Sequence, residues 1–336
     1  MIRRLLAVAA VLTVLAAAPV LGQASEELVR QAQAEGQVDF YANITAIEPI
    51  LEAFHAKYGV EALYTRMATT NFAPTVLTEH QTGRVRGSVL QGPVPLLRIL
   101  KDAGVLAPYR SPAAAAYPEW SQDPEGYIQV FGIEYVALIY NKNLVAPADV
   151  PTSYMDLTDP KWRGRIVMPD PRGHATTVQW LVGLKENNVF GSEEAWWDFI
   201  RGLAANEPMF VASFGPTPGP IASGEALIGI SMPKYIVTLA PAPLDWARVQ
   251  EPIFGTTRGI ALAAGAPHPN AARLFIDYWL SEEAQQILAR DVGEYVLHEG
   301  VYPPIDGIDQ AQVLPLRDMT DEELEYWAQE LSRYFE

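Results

Sequence analysis

Residues 38–64 read VDFYANITAIEPILEAFHAKYGVEALY, and two periodicities meet inside them. Val38 to Ala42 is a short aromatic and β-branched run that predicts a strand, and Asn43-Ile44-Thr45 ends it in a polar loop. Ile47, Ile50, Leu51, Phe54 and Tyr58 then recur at the spacing of one helix face. Val60 to Tyr64 returns to strand character, and Met67 to Asn71 predicts the next loop. Strand, helix and strand in this order form a βαβ unit, so the two strands are parallel. The loops at their C-terminal ends then gather on one edge of the sheet, where α/β proteins bind ligands.

Working toward the N-terminus, Ser25 before Glu26 and Glu27 predicts a capped helix running to about Glu35. Before it, Arg3 and Arg4 precede an apolar run from Leu5 to Leu21, closed by Gly22-Gln23-Ala24. A charged, an apolar and a small-residue region in that order are an export signal. Removal of residues 1–24 leaves 22 basic against 40 acidic residues, a charge of −18. Toward the C-terminus, Pro95 to Ala103 and a proline-rich stretch from Pro108 to Pro118 complete a first α/β unit. Tyr127 to Tyr140 is longer than one ordinary strand needs and predicts a crossover between two lobes. A second α/β unit follows, with a strand at Gly164 to Met168 and helices at Thr176 to Leu184 and Ser192 to Leu203. Ala226 to Ser231 reads as a buried strand, and Ile253 to Ala263 as a second crossover. From Asn270 the chain is mostly helical, with Ala271 to Leu280, Ser281 to Ala289, and a last helix opened by the capping box Thr320-Asp321-Glu322-Glu323.

Of the 336 residues, 49% are hydrophobic and 19% charged, enough for a sizeable core. Basic residues number 24 and acidic ones 40, a net charge of −16, so no global field draws in nucleic acid and none is expected as a partner. Cysteine is absent, which removes disulfides, thiolate metal sites, thiol nucleophiles and a lipid-modified N-terminal cysteine. With the export signal, this points to a freely diffusing protein of the periplasm. His55, His80, His174, His268 and His298 are too dispersed for zinc-ligand spacing, and no cofactor is expected. The G-x-S-x-G elbow and both glycine-rich phosphate and dinucleotide loops are missing. Glu193/Glu194 and Glu282/Glu283 fall in first helical turns, where the helix dipole accounts for them. No catalytic residue is assigned. Exported binding protein and exported hydrolase are the two classes left.

Three segments carry a resemblance. Residues 140–145 read YNKNLV, 151–157 PTSYMDL and 159–171 DPKWRGRIVMPDP; 223–229 read SGEALIG; 267–285 read PHPNAARLFIDYWLSEEAQ. In this order they resemble the periplasmic solute-binding proteins of ABC importers, in the ferric-iron-type branch of extracellular solute-binding family 1. The resemblance implies an α/β, two-lobed type II periplasmic-binding-protein fold, the Venus flytrap, with two hinge crossovers. It implies lobe 1 from residues 25–131 plus 259–300, lobe 2 from 132–258, and a C-terminal helical segment, 301–336, packed on the lobes. It also implies a monomer without catalysis, which closes on a small-molecule solute and presents it to the permease subunits.

Iron-binding members of the branch typically hold metal with adjacent tyrosines after the G-E-x-x-I-G strand. Here residues 230–235 read ISMPKY, with one tyrosine, Tyr235, beside Lys234. An ammonium opposes a ferric site, so no metal site is expected; Tyr235 is the ligand if the cargo is ferric. The remaining cleft candidates are Asn43 and Thr45 after the first strand, Thr69, Thr70 and Asn71 in the next loop, and Gln91 in the third. Opposite them, Gly173-His174-Ala175-Thr176-Thr177 opens a helix whose free N–H groups favour an anion, with His174, Thr176 and Thr177 as contacts. Ser213, Phe214 and Tyr235 close the pocket, Arg258 serves as counter-ion, and Glu134 meets a ligand amine. Plainer readings stand beside these: Thr45 and Thr70 as helix caps, Glu134 paired within the hinge, Lys234 as a solvated charge, Trp196 and Trp197 as helix packing. The expected solute is a small organic anion. The alternatives are a ferric ion or chelate and, in another class, hydrolysis of an exported substrate.

Overall fold

The computed structural model describes residues 24–335, so the expected export signal, apart from Ala24, lies outside the described residues. The side chains of Thr69 and Thr70 also lie outside them. Helix α1 (Glu26–Glu35) starts where the sequence places it, with the Ser25 hydroxyl accepting from the Leu28 N–H at 3.2 Å. Strand β1 (Gln37–Ala42), helix α2 (Glu48–Tyr58) and strand β2 (Glu61–Arg66) form the expected βαβ unit, in parallel register from Gln37 opposite Glu61 to Ala42 opposite Arg66.

The next segment departs from expectation. Met67 to Asn71 is not all loop: helix α3 (Thr69–Gln81) begins inside it. Thr-Thr-Asn is a weak helix opening and Pro74 sits within the helix, so local propensity hides it. Packing decides instead. Phe72 and Val76, one turn apart, are buried against Leu90 and Leu97. Strand β3 (Val89–Pro93) follows, parallel to β1, then helix α4 (Val94–Asp102) and the short β4 (Leu106–Ala107).

Strand β5 (Ile128–Asn141) is the long crossover. Beyond it lie β6 (Ile166–Pro169), α5 (Ala175–Glu186), α6 (Glu193–Ala205), β7 (Met209–Val211), α7 (Pro218–Ser223), β8 (Ile228–Ser231), α8 (Lys234–Thr238) and β9 (Leu244–Trp246). The second crossover, β10 (Ile253–Ala263), has the bounds read from sequence. Helices α9 (Pro269–Trp279) and α10 (Glu282–Val292), strands β11 (Tyr295–Val296) and β12 (Val313–Pro315), and helix α11 (Asp321–Leu331) complete the chain.

The strands run in the order β2-β1-β3-β10-β5-β8-β6-β7. The two crossovers lie antiparallel at its centre, from Phe254 opposite Val136 to Ala261 opposite Ile128. The far half of β5 pairs instead with β8, Ala137 opposite Ser231 through Tyr140 opposite Ile228. One strand thus serves both halves of the molecule, which explains its length. Each half has its own core. Phe40, Phe54, Phe275 and Trp279 pack in the first, with Phe40 and Phe275 ring centres 4.8 Å apart. Leu138, Tyr154, Trp180, Trp196 and Phe199 pack in the second. Trp196 is fully buried and donates to the Leu181 carbonyl at 2.9 Å, and Trp197 lies against Tyr334, so both serve packing. From the C-terminal segment, Leu316, Leu331 and Phe335 join the second core, while β12 pairs with the start of β10.

At Gly255 the crossovers leave no room for a side chain. A Cβ there would lie 2.6 Å from the Ile133 Cγ2 and from the Tyr135 Cα, and closer still to the Glu134 carbonyl oxygen. Two of these are backbone atoms, which cannot rotate away. Gly255→Ala is expected to lower unfolding stability by about 1–3 kcal/mol, the usual cost of overpacking, read from urea denaturation.

Candidate functional site

Glu134 on β5 lies opposite Thr256 on β10, and Arg258 is two residues further, so both project from one face of the paired crossovers. Arg258 is only 2% exposed. Its Nη1 donates to the Glu134 Oε1 at 3.2 Å and the Glu294 Oε1 at 3.4 Å, and its Nη2 donates to the Asn43 Oδ1 at 2.9 Å. Burial alone would lower the guanidinium pKa, but Glu294 and Glu134 outweigh it and hold it above the usual value. The loop after β1, both crossovers and the turn after α10 are therefore fastened to one side chain.

Lys234 opens α8 beside this group. Its Nζ lies 3.4 Å from the Glu294 Oε1 and 3.8 Å from the Glu134 Oε1. Burial opposes its charge, and the same two carboxylates overcome that and raise its pKa. Burial likewise pushes the Glu134 carboxyl up, but Arg258 and Lys234 pull it below its ordinary value. Two cations and two carboxylates share the site, and their formal charges cancel. Gly293, at φ 73°, allows the approach: a Cβ there would lie 2.9 Å from both the Cα and the carbonyl oxygen of Lys234.

His174 caps α5. The Thr177 N–H donates to its Nδ1 at 3.3 Å, and the Thr177 Oγ1 lies 2.9 Å from the same nitrogen. Nδ1 thus accepts, which assigns the neutral ring's proton to Nε2. The Phe214 ring stands edge-on to it, with centroids 5.1 Å apart. Burial lowers the His174 pKa, and the nearby Glu134 carboxylate offsets part of that. The first N–H groups of α5, at Ala175 and Thr176, precede any intrahelical acceptor and carry the positive end of the helix dipole.

The structure brings Asn43, Glu134 and Arg258 together directly, and places Tyr235 next to Lys234 and His174 against Phe214. Tyr235 is half-buried, burial raises its pKa, and the Lys234 ammonium lies 5.8 Å from its ring centre. Thr177 is fully buried and Thr176 half-buried. Gln91 is fully buried on β3, opposite Ala42 and Ile260, and neither amide atom has a partner. Thr45, Asn71 and Ser213 are exposed. Asn71 lies in the first turn of α3 rather than in a loop, and its carbonyl accepts from the Thr75 hydroxyl at 2.7 Å. Thr69 and Thr70 open the same helix, with side chains outside the described residues. The N-caps of α2 and α3 are Ile47 and Ala68, so the capping reading of Thr45 and Thr70 is corrected. Arg258 is no free counter-ion either, since its guanidinium already holds two carboxylates. The sequence reading missed Glu294, and the plainer reading of Lys234 as a solvated charge is corrected by its burial beside two carboxylates.

Among the described residues, no group of three or more His, Asp or Glu side chains is arranged to hold a metal ion. No helix among them is long and apolar enough to cross a membrane.

The model of bacterial extracellular solute-binding proteins matches residues 94–306, and the chain belongs to that family. Iron uptake protein A2 of Synechocystis sp. is 28% identical over 239 residues, 62% of this chain and 63% of that protein, so the match spans less than two thirds of its length. The substrate binding protein of an ABC transporter from Agrobacterium tumefaciens has a TM-score of 0.72 at 14% identity, covering 90% of this chain and 96% of that one. The periplasmic binding protein AfuA from Actinobacillus pleuropneumoniae, with fructose-6-phosphate bound, has a TM-score of 0.67 at 21% identity, covering 89% and 96%. These likenesses establish the type II periplasmic-binding fold. The family consists of the solute receptors of ABC transporters, which work with a small molecule and a membrane permease.

A histidine whose folded pKa is depressed stabilises the fold above its unfolded value of 6.5 and loses that contribution as pH falls toward the folded value. The melting temperature is therefore expected to fall more steeply from about pH 7 to about pH 5 in the native chain than in His174→Asn, which keeps a helix cap but cannot titrate.

Proposed function

We propose that this chain is a periplasmic receptor that captures a small organic anion between two lobes and delivers it to the permease subunits of an ABC importer, without catalysing a reaction. The lobes comprise residues 25–131 with 259–300, and 132–258, with 301–336 packed on them. The observation that carries the reading is the open N-terminus of α5, headed by His174, on the same side of the crossovers as Lys234. An oxyanion there gains charge-assisted hydrogen bonds from Ala175 and Thr176 worth about 1.5–3 kcal/mol each. Hinge bending at β5 and β10 then closes the lobes, provided the solute binds the closed form more tightly than the open one.

The non-catalytic reading rests on the same residues. The hydroxyl beside His174 belongs to Thr177, which is fully buried and cannot meet a substrate. The second reading, a ferric ion or ferric chelate, draws on the iron uptake relative. Against it stands Tyr235, whose burial favours the protonated phenol where iron needs a phenolate. The missing cysteines leave no residue for a lipoprotein tether, which fits a protein freed from its signal and diffusing in the periplasm, and the family resemblance implies a monomer.

Thermal-shift measurements with carboxylates, phosphonates, sugar phosphates and ferric salts test the reading. At a hundredfold excess over Kd, a true ligand stabilises the fold by about 2.7 kcal/mol. At least one organic anion is expected to do so. Stabilisation by ferric iron alone, lost in Tyr235→Phe, would overturn the organic-anion reading. Separately, N-terminal sequencing of the exported protein is expected to begin at Ser25; retention of residues 1–24 would contradict it.

A further inference from the structure

We infer that the solute carries an ammonium group together with its anionic group, with Lys234 receiving the anion and Glu134 the ammonium. The inference deepens the receptor reading and rests on it. It comes from the unequal burial of the four charges at the crossovers. Arg258 and Glu294 form an inner pair, each side chain 3% exposed. Lys234 and Glu134 form an outer pair, 16% and 22% exposed and 3.8 Å apart, too far for a hydrogen bond. The outer pair is also under-used. Lys234 has three donor hydrogens and one long bond, at 3.4 Å, to Glu294. The Glu134 Oε1 faces Arg258 and Lys234, while its Oε2 accepts no hydrogen bond among the described residues.

Electroneutrality then selects the solute. The four formal charges cancel, and burial disfavours a positive charge on His174. A lone anion closed into this site would leave one negative charge without a partner in a desolvated place, and a lone cation one positive charge. Either is costly. A zwitterion adds no net charge. Its two ends enter the loose contact between Lys234 and Glu134, each meeting an opposite charge, while Arg258 and Glu294 stay paired beneath. The anionic end meets the ammonium of Lys234, which Gly293 lets stand close against the turn after α10. The ammonium end meets the Oε2 of Glu134.

The test is calorimetric titration of the mature protein with matched sets that differ only in charge. One set is 3-aminopropylphosphonate, propylphosphonate and propylamine; the other is β-alanine, propionate and ethylamine. At least one zwitterion is expected to bind about tenfold or more tightly than its partner without the amine, a difference of about 1.4 kcal/mol. Glu134→Gln is expected to abolish that preference while leaving the amine-free anion bound, and Lys234→Met to weaken zwitterion and anion alike. Equal or tighter binding of the amine-free anion by the native chain overturns the zwitterion inference and leaves the receptor standing. So does failure of both zwitterions while an amine-free anion from the thermal screen binds. Failure of every anion in both experiments overturns the organic-anion reading itself. Unchanged selectivity in a folded Glu134→Gln protein overturns the role of Glu134.

Discussion

A guanidinium cannot be left alone in a protein interior, and Arg258 is in the interior. Everything at the centre of this molecule follows from how that charge is answered. Glu134 answers it from the neighbouring crossover, Glu294 from the turn after α10, and Asn43 from the loop after β1. Four segments far apart in sequence meet at one side chain. None of these contacts is a surface ion pair of the kind that contributes little. Removing a partner would strand a buried charge, so the arrangement is held by the penalty for breaking it more than by the strength of any single bond.

That fastening sits where the chain has to bend. The two crossovers pair at the centre of the sheet, and at Gly255 there is no room for a side chain between them. The bulge between Arg258 and Gly259 interrupts their register at the same place. On one flank, α8 rests against Gly293 and Lys234 reaches Glu294. On the other, Arg98 of α4 pairs with Asp318, just beyond β12. A receptor of this kind works by shifting a population between open and closed forms, and a ligand achieves this only through contacts that differ between them. In the proposed receptor the loosely paired outer charges supply such contacts, because they are more exposed than the buried inner pair.

The crossovers were legible because they are long, apolar and β-branched, properties each residue carries for itself. The capped helices α1 and α11 were legible for a similar reason: Ser25 and Thr320 bond backbone groups three residues away. Helix α3 was not, since Thr-Thr-Asn and Pro74 argue locally against it and only the burial of Phe72 and Val76 argues for it. The site shows the same division. Asn43 follows a strand end, His174 and Tyr235 stand at helix starts, and Glu134 and Arg258 lie within the two long crossovers, positions that periodicity can place. Glu294 lies in the short turn between α10 and β11, and its partner Lys234 is 60 residues away, so no spacing rule connects them.

The sequence by itself determined the parallel α/β plan, the two crossings between halves and the absence of thiol chemistry, because these depend on local periodicity and composition. It also supplied both signs of charge near the crossovers. Only the tertiary structure decided which charge answers which. Arg258, read alone, is a counter-ion waiting for an anion; in the fold it is already neutralised, and the more exposed cation of the group is Lys234. The reason is physical. Electrostatic partnership depends on distance through space and on burial, and neither is written in the order of residues along a chain.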